Sequence, residues 1–142
     1  MNKGYTFIEL ICVVVILGVL AGVSMPVLKN VFLGVQLEST AQELCSLMDY
    51  VRQRSLLERG IIRIHISLDK AEYWVTADGS TKRLKTLRVP SGINIESDKE
   101  EICFYPDGRI DKADIRLAVS SGKNVLLTTR GVLGGVKAVY EK

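Results

Sequence analysis

The chain has 142 residues, enough for one compact domain and a hydrophobic segment but too few for two domains. Hydrophobic residues make up 47% of it, and they concentrate near one end, because Leu10 to Leu28 contains no charged side chain. The formal net charge of +3 is too small to argue for nucleic-acid binding by itself. Cys12, Cys45 and Cys103 have no metal-binding spacing. Cys45 and Cys103 either form a disulfide in an exported head or stay free buried thiols.

The apolar N-terminal segment has the length and composition of a membrane-spanning helix. Between Phe7 and Leu28 there are fourteen Leu, Ile, Val or Phe residues, which favour membrane insertion by about 4–8 kcal/mol. A helix from Tyr5 to Leu28 would be about 36 Å long, enough to cross about 30 Å of hydrocarbon. Lys3 on the short leading side predicts a single-pass membrane protein with a cytoplasmic N-terminus and an extracytoplasmic head.

Glu9 lies about one helical turn into this otherwise uncharged segment. An ionised carboxylate is costly there and is usually functional, so it needs a partner. If the chain were cut between Gly4 and Tyr5, the new α-amino group on Tyr5 would be a cation one turn away. That amine, on the same subunit or on a neighbour, would neutralise Glu9. We therefore predict a role in assembly for Glu9.

The residues from Lys3 to Leu10, KGYTFIEL, resemble the class III signal of type IV pilins and pseudopilins. In that family a prepilin peptidase cuts after the glycine and methylates the new first residue. Glu9 falls on the glutamate at the fifth position of the mature chain. The resemblance implies cleavage between Gly4 and Tyr5 and N-methylation of Tyr5.

Two other interpretations explain this segment less well. A secretory signal peptide cut after Ala21 would have only Lys3 in its positive region, offset by Glu9. A generic single-pass anchor explains the length of the segment but not Glu9. The predicted organisation is a leader at residues 1–4, a transmembrane half-helix at 5–28, and an amphipathic helix with a β-rich head at 29–142.

The rest of the chain predicts a helix followed by strands. Residues with helical three- and four-residue spacing, placed on one face of a helix spanning about 5–59, are Val31, Val35, Leu37, Ala41, Leu44, Met48, Val51 and Ser55. Gly60 predicts the end of this helix. Alternating or apolar runs predict strands at 62–68, 72–77, 84–89, 102–105, 115–119 and 125–129, with a last apolar stretch at 132–140. The predicted fold class is α+β, with a long N-terminal helix packed against an antiparallel β-sheet head.

This half of the chain is similar to minor pseudopilins of the GspH/FimT type. The similarity rests on the run from Arg52 to Gly60 before a strand, the segment from Phe104 to Arg109, and a late Ser121–Lys123 hairpin. Competence pseudopilins share this layout and remain an alternative family for the resemblance. The resemblance implies a minor subunit of a type IV pilus-like or type II secretion filament, at its tip or initiating complex. Implied partners are other pilin subunits, prepilin peptidase, an inner-membrane assembly platform and membrane lipid, with a periplasmic or cell-surface filament after assembly.

Candidate catalytic and metal-binding residues are few, and we predict no enzyme activity, cofactor or metal. His65 is the single histidine and lies on the polar face of a predicted strand. Ser120 to Lys123 matches S-x-x-K, but it lies between two strands and reads as a hairpin turn. Asp107, Asp111 and Asp114 lack the glycine and the terminal glutamate of an EF-hand loop, so turn or capping roles are favoured.

A DNA-binding role is the alternative function. Basic residues occur throughout the C-terminal third of the chain, and some FimT-like minor pilins capture DNA through basic residues late in the chain. Arg130 and Lys137 are the positions that fit this idea best. Scattered basic residues more often form a solvated face, so assembly without DNA is favoured.

Overall fold

The computed structural model describes residues 6–130 and 135–141, without the side chains of residues 23–28 and 141. The chain divides between Phe32 and Leu33 into two compact units. Its elements in chain order are α1 (Phe7–Glu58), β1 (Ile62–Ser67), β2 (Glu72–Ala77), β3 (Arg83–Arg88), β4 (Ile93–Ser97), β5 (Glu101–Phe104), β6 (Asp114–Val119), β7 (Asn124–Thr129) and β8 (Val136–Glu141).

The strands of the described residues form two antiparallel sheets of four strands each. Sheet A has the order β3-β2-β1-β5, and sheet B has the order β4-β6-β7-β8. Sheet A depends on a long-range pairing in which Ile62 of β1 lies opposite Phe104 of β5. The predicted α+β class, with a long N-terminal helix packed against antiparallel strands, is confirmed. The division of the strands into two sheets was not predicted.

Strand β4 is absent from the sequence prediction. Ile93 and Ile95 are buried while Asn94 and Glu96 are exposed, which is the alternation of a half-buried strand. The run follows Gly92 and leads directly into a charged segment, so the sequence prediction places it in a loop. The second half of the last predicted stretch, 132–140, corresponds to β8. Residues 131–134 lie outside the described part of the chain.

The second half of α1 supplies one apolar stripe to the core of the unit formed by residues 33–142. This stripe consists of Leu33, Leu37, Ala41, Leu44, Leu47, Met48 and Val51, which cluster with inward side chains of both sheets. Fully burying a Leu, Met or Val side chain stabilises the folded state by about 1.5–3 kcal/mol. The stripe therefore holds α1 on the sheets.

The prediction that Val31 and Val35 belong to the buried stripe is wrong. Their exposed fractions are 59% and 60%, whereas that of Leu33, which lies between them, is 9%. Residues two positions apart on a helix point in nearly opposite directions, so burying Leu33 turns both valines outward. Leu33 interrupts the predicted spacing and was therefore missed.

The C-terminus of α1 also differs from the prediction. Arg59, not Gly60, takes the left-handed conformation that follows a helix, with φ of 50°. The reason is that α1 ends at Glu58, so the first position beyond the helix falls on Arg59. Just before this end, the fully buried Ser55 has its Oγ 2.8 Å from the carbonyl oxygen of Arg52 and 3.2 Å from that of Tyr105.

Candidate assembly site

Thr6 caps the described N-terminus of α1. The backbone N–H of Glu9 donates to the carbonyl oxygen of Thr6 at 3.1 Å and lies 3.4 Å from its Oγ1. Thr6 and Glu9 thus have the T-x-x-E spacing of a capping box, in which a threonine at the N-cap faces a glutamate three residues later. This sequence signal was present but was not used in the prediction. The predicted processing residues Gly4 and Tyr5 lie outside the described residues.

The first turns of α1 carry apolar side chains that this chain does not bury. All described residues from Phe7 to Gly22 are exposed, with exposed fractions of 78% for Phe7 and 67% for Ile8. A helix that is apolar on all sides requires lipid or other apolar helices around it. Glu9 is exposed on this same surface, where a group from another molecule can reach it.

No helix in the described ranges 6–130 and 135–141 has the combination of length and hydropathy required to cross a membrane. The transmembrane half-helix at 5–28 and the cytoplasmic position of the N-terminus therefore stay predictions.

His65 lies in a polar network on the outer face of sheet A. Its Nε2 is 2.8 Å from Thr76 Oγ1, its Nδ1 is 3.4 Å from a carboxylate oxygen of Glu101, and its ring stacks on Trp74 with centroids 5.2 Å apart. Arg63 contacts the same Glu101 at 3.1 Å. These residues line a surface cleft of about 590 Å³. The prediction of a polar-face histidine is confirmed, and its neighbours tie three adjacent strands together.

The network continues to the β3 edge of sheet A. The guanidinium carbon of Arg83 lies 4.2 Å from the centre of the Trp74 ring, a cation–π contact. Arg83 also contacts the carboxylate of the buried Glu72 at 3.2 Å, and Arg88 approaches the second oxygen of Glu72 at 3.8 Å. Glu72 is thus a buried acid with two cationic neighbours, which is the condition under which burial of a carboxylate is tolerated.

The aspartates considered as calcium ligands serve local structure. Asp107 accepts a hydrogen bond from the backbone N–H of Arg109, and this bond holds the pKa of Asp107 below its ordinary value. Asp111 accepts hydrogen bonds from the backbone N–H of Cys103 and from the hydroxyl of Tyr105. Within the described part of the chain, no group of three or more His, Cys, Asp or Glu side chains is placed to hold a metal ion. The turn role predicted for Asp107 is confirmed, whereas Asp111 bonds to β5 and the residue after it, and Asp114 begins strand β6.

Ser120 to Lys123 forms the turn between β6 and β7, as predicted. Gly122 has φ of 90°, and its N–H donates to the carbonyl oxygen of Val119. The side chain of Lys123 passes over Gly34 of α1, where a Cβ atom would lie 3.2 Å from Nζ. Lys123 is thus placed against the helix.

Arg130 and Lys137, the candidate DNA-binding residues, come to the same end of the β7–β8 hairpin. Lys137 is paired with Thr128, two residues before Arg130, and both basic side chains are exposed. Arg130 borders a surface cleft of about 580 Å³ that is also lined by Lys112 and by the carboxylates of Asp98 and Asp114. These carboxylates reduce the positive potential that a phosphate would meet.

Cys45 and Cys103 are free thiols in the structure. Burial raises the pKa of the Cys45 thiol, and Asp49 adds to the rise. Burial also raises the pKa of Cys103, and Glu101 adds to the rise by accepting a hydrogen bond from the thiol. The sequence left open a disulfide or two free thiols, and the structure has two free thiols.

Comparison with known proteins identifies the N-terminus and the fold separately. Residues 1–25 match the prokaryotic N-terminal methylation motif. The structure of the minor pseudopilin EpsH from the type 2 secretion system of Vibrio cholerae matches with a TM-score of 0.64 and 11% identity, covering 74% of this chain and 97% of that one. None of the curated protein sequences matches this chain.

The type IV minor pilin FimU of Pseudomonas aeruginosa matches in two crystal forms, both at 18% identity. The TM-score is 0.59 in one form, covering 75% of this chain and 88% of that one. In the other form it is 0.58, with coverages of 75% and 93%. At such identities the likeness shows a shared fold.

The chain is therefore type IV pilin-like in both its N-terminal motif and its fold. The fold is that of minor pseudopilins and minor pilins, and the resemblance predicted from the sequence is confirmed.

Proposed function

We propose that this chain is a membrane-anchored minor subunit of a type IV pilus-like filament or a type II secretion pseudopilus. The observation that carries the proposal is the continuity of α1, which begins within the methylation motif and contributes its second half to the core of the head. The exposed apolar surface from Phe7 onward supports packing of this helix first among lipids and then among neighbouring subunits.

In the proposed mechanism, prepilin peptidase cuts between Gly4 and Tyr5 and methylates the new amine on Tyr5. That amine, which is cationic, pairs with Glu9 of a neighbouring subunit inside the apolar bundle, where an unpaired carboxylate would be costly. The pairing sets the axial register of each subunit. We place the subunit at the filament tip or initiating complex, as the sequence resemblance to GspH/FimT-type minor pseudopilins implies.

Co-assembly in a host that supplies prepilin peptidase, partner pilins and the inner-membrane assembly platform tests this function. We expect the mature chain in filaments sheared from the cells, detected by mass spectrometry together with its partner subunits. A host with a catalytically inactive peptidase is the control, and there the chain should remain unprocessed in the membrane fraction. A mature chain that stays in the membrane while its partners form normal filaments would contradict the proposal.

Capture of DNA during uptake is the second candidate function. It is supported by the placement of Arg130 and Lys137 at one end of the same hairpin. The carboxylates of Asp98 and Asp114 offset the charges of Arg130 and Lys112 in their shared cleft, so assembly without DNA is the favoured function.

A further inference from the structure

Strand β3 forms a basic edge of sheet A. It is the terminal strand of this sheet, so one side of its backbone faces no other strand of the described chain. The stretch between Thr81 and Val89 contains no acid. Its four basic residues are all exposed, and they are Lys82, Arg83, Lys85 and Arg88. Among the described residues, Glu72 is the one acid that forms ion pairs with this stretch, and two arginines share it. The edge therefore keeps a net positive charge.

The second half of β3 has backbone groups that are free to bond another strand. Leu84 has no opposite residue in β2, and such a bulge disrupts strand pairing locally. Beyond the bulge, the N–H of Val89 donates to the carbonyl oxygen of Ala71 at 2.8 Å, so the backbone of Val89 points towards β2. This direction alternates from residue to residue along an antiparallel strand. Thr86 and Arg88 therefore point their N–H and C=O groups away from β2, to the free side.

An apolar recess lies beside this edge, on the side of α1. It has a volume of about 300 Å³ and is lined by Tyr50, Arg54, Val75, Leu84 and Lys85. Tyr50 is 54% exposed and Leu84 is 39% exposed. Arg54 is held by Glu58 at 2.7 Å, which leaves Lys85 as the charge in the recess without an ion-pair partner among the described residues. A strand added to β3 would point every second side chain towards α1 and this recess.

From this geometry we infer that the free edge of β3 binds an extended peptide segment in which acidic and apolar side chains alternate. The segment pairs antiparallel with β3, as β2 does on the other side. The segment residues opposite Thr86 and Arg88 then share the outer face of the sheet with the arginine side chains, and they are acidic. The residues between them face α1 and are apolar, with one side chain in the recess.

This inference goes beyond the proposed function, in which neighbouring subunits meet through α1. It gives the head a binding partner from outside the filament, recognised by strand addition. The segment supplies backbone hydrogen bonds, negative charge and one anchoring side chain, and each of these matches a separate feature of the edge.

Two other roles account for only part of these features. Basic residues on an edge strand protect it from indiscriminate pairing. That role requires no exposed apolar surface, yet Tyr50 and Leu84 border a recess at this same edge. Attraction of any polyanion would require neither the recess nor the free backbone groups. Basic charge, a recess and unpaired backbone groups at one edge together favour a peptide.

The first test is binding of a labelled peptide to the full chain in detergent micelles, measured by fluorescence anisotropy. The probe peptide alternates glutamate with valine and carries one central phenylalanine in place of a valine. It should bind at least about tenfold more tightly than a peptide of the same length and charge in which serine replaces the apolar residues. Equal binding of the two peptides would indicate attraction by charge alone and would overturn the inference.

Backbone methylation of the probe tests the strand pairing itself. Methyl groups on the glutamate nitrogens remove the N–H donors that face β3 and should abolish binding. Methyl groups on the valine nitrogens lie on the far side of the added strand and should leave the affinity within about threefold. The two methylated peptides have the same charge and the same composition. Equal affinities, or loss of binding with the valine-methylated peptide alone, would overturn the inference.

Two double variants of the chain test where the peptide binds. Lys82→Ala/Arg88→Ala should weaken binding of the probe about fivefold, because it removes two exposed charges from the edge. Lys99→Ala/Lys112→Ala removes two exposed charges from outside β3 and the recess and should bind like the wild type. Equal weakening in both variants, or a wild-type chain that does not bind the probe, would overturn the inference. Neither result would affect the proposed function as long as the mature chain enters filaments.

Discussion

The side chain of Leu33 occupies the space that a Cβ atom on Gly92 would need. A Cβ built on Gly92 would lie 2.9 Å from Leu33 Cδ2, and Gly92 has φ of 96°. Leu33 begins the buried stripe of α1, and Gly92 ends the turn that connects β3 to β4. The absence of a side chain at Gly92 therefore lets this turn close directly onto the helix.

Gly92→Ala should lower the free energy of unfolding by about 1–3 kcal/mol, because alanine is strained at positive φ and its Cβ displaces Leu33. Gly79→Ala is the matched control, since Gly79 has φ of 68° but no atom within 4 Å of the added Cβ. The difference between the two variants in chemical denaturation isolates the contact with Leu33. Equal losses of stability would show that this contact has no energetic weight.

Tyr73→Phe should leave stability unchanged or raise it by up to about 1 kcal/mol. Tyr73 is 1% exposed, and its hydroxyl has no hydrogen-bond partner among the described residues. Removing a buried polar group that lacks a partner removes a desolvation penalty. Chemical denaturation of Tyr73→Phe checks this, with Tyr50→Phe, whose ring is half-exposed, as the control. A loss of more than about 1 kcal/mol in the free energy of unfolding would show that the Tyr73 hydroxyl makes a stabilising interaction.

The same residue predicts a loss of stability in alkali. Burial raises the pKa of Tyr73 in the folded protein above its ordinary value of 10.0, and the charge of Glu43 adds to the rise. Above the ordinary pKa of 10.0 the tyrosine loses its proton in the unfolded chain but keeps it in the folded one. The unfolded chain then binds fewer protons, so the free energy of unfolding falls as pH increases. Tyr73→Phe should flatten this dependence between about pH 10 and 12. Identical pH profiles for the variant and the wild type would contradict the assignment to Tyr73.

Processing is predicted between Gly4 and Tyr5, with methylation of the new N-terminus. Intact-mass analysis of the membrane-extracted chain from a host with prepilin peptidase should give the mass of residues 5–142 plus one methyl group. The same chain from a host without the peptidase is the control. Cleavage after Ala21 would indicate a secretory signal peptide, and an uncut chain in the first host would indicate a generic anchor.

Glu9→Ala should leave membrane insertion unchanged or slightly improved, because it removes a costly carboxylate from the apolar segment. Incorporation into filaments should fall, since the neighbour's amine loses its partner. Glu38→Ala, which removes an exposed acid farther along α1, serves as the control. Quantitative co-purification with partner subunits is the measurement, and wild-type recovery of Glu9→Ala would exclude the proposed pairing.

The full chain should show no salt-sensitive binding to duplex DNA even near 50 mM salt, because Asp98 and Asp114 offset the charges of Arg130 and Lys112 in their shared cleft. If binding does occur through phosphates, its affinity falls with salt with a slope of about −0.9 per contact. Arg130→Ala/Lys137→Ala should then reduce that slope by about two, whereas Lys70→Ala/Lys82→Ala should not. Fluorescence anisotropy with labelled duplex at several salt concentrations distinguishes these outcomes, and the second pattern would favour DNA capture.

The amino-acid sequence determined the features that depend on neighbouring residues. The signal from Lys3 to Leu10 predicted the motif, and the three- and four-residue spacing predicted a helix extending almost to Gly60. Alternation predicted most strands, including the polar placement of His65. These signals can be read locally because helix and strand periods repeat within a few residues.

Tertiary structure alone decided which surfaces face each other. The pairing of Ile62 with Phe104 creates sheet A from segments about forty positions apart. That pairing also brings Glu101 to His65. Packing also selected Leu33 over Val31 and Val35, because only one face of α1 meets the sheets. Strand order and the choice of buried helix face follow from long-range contacts, which no local period encodes.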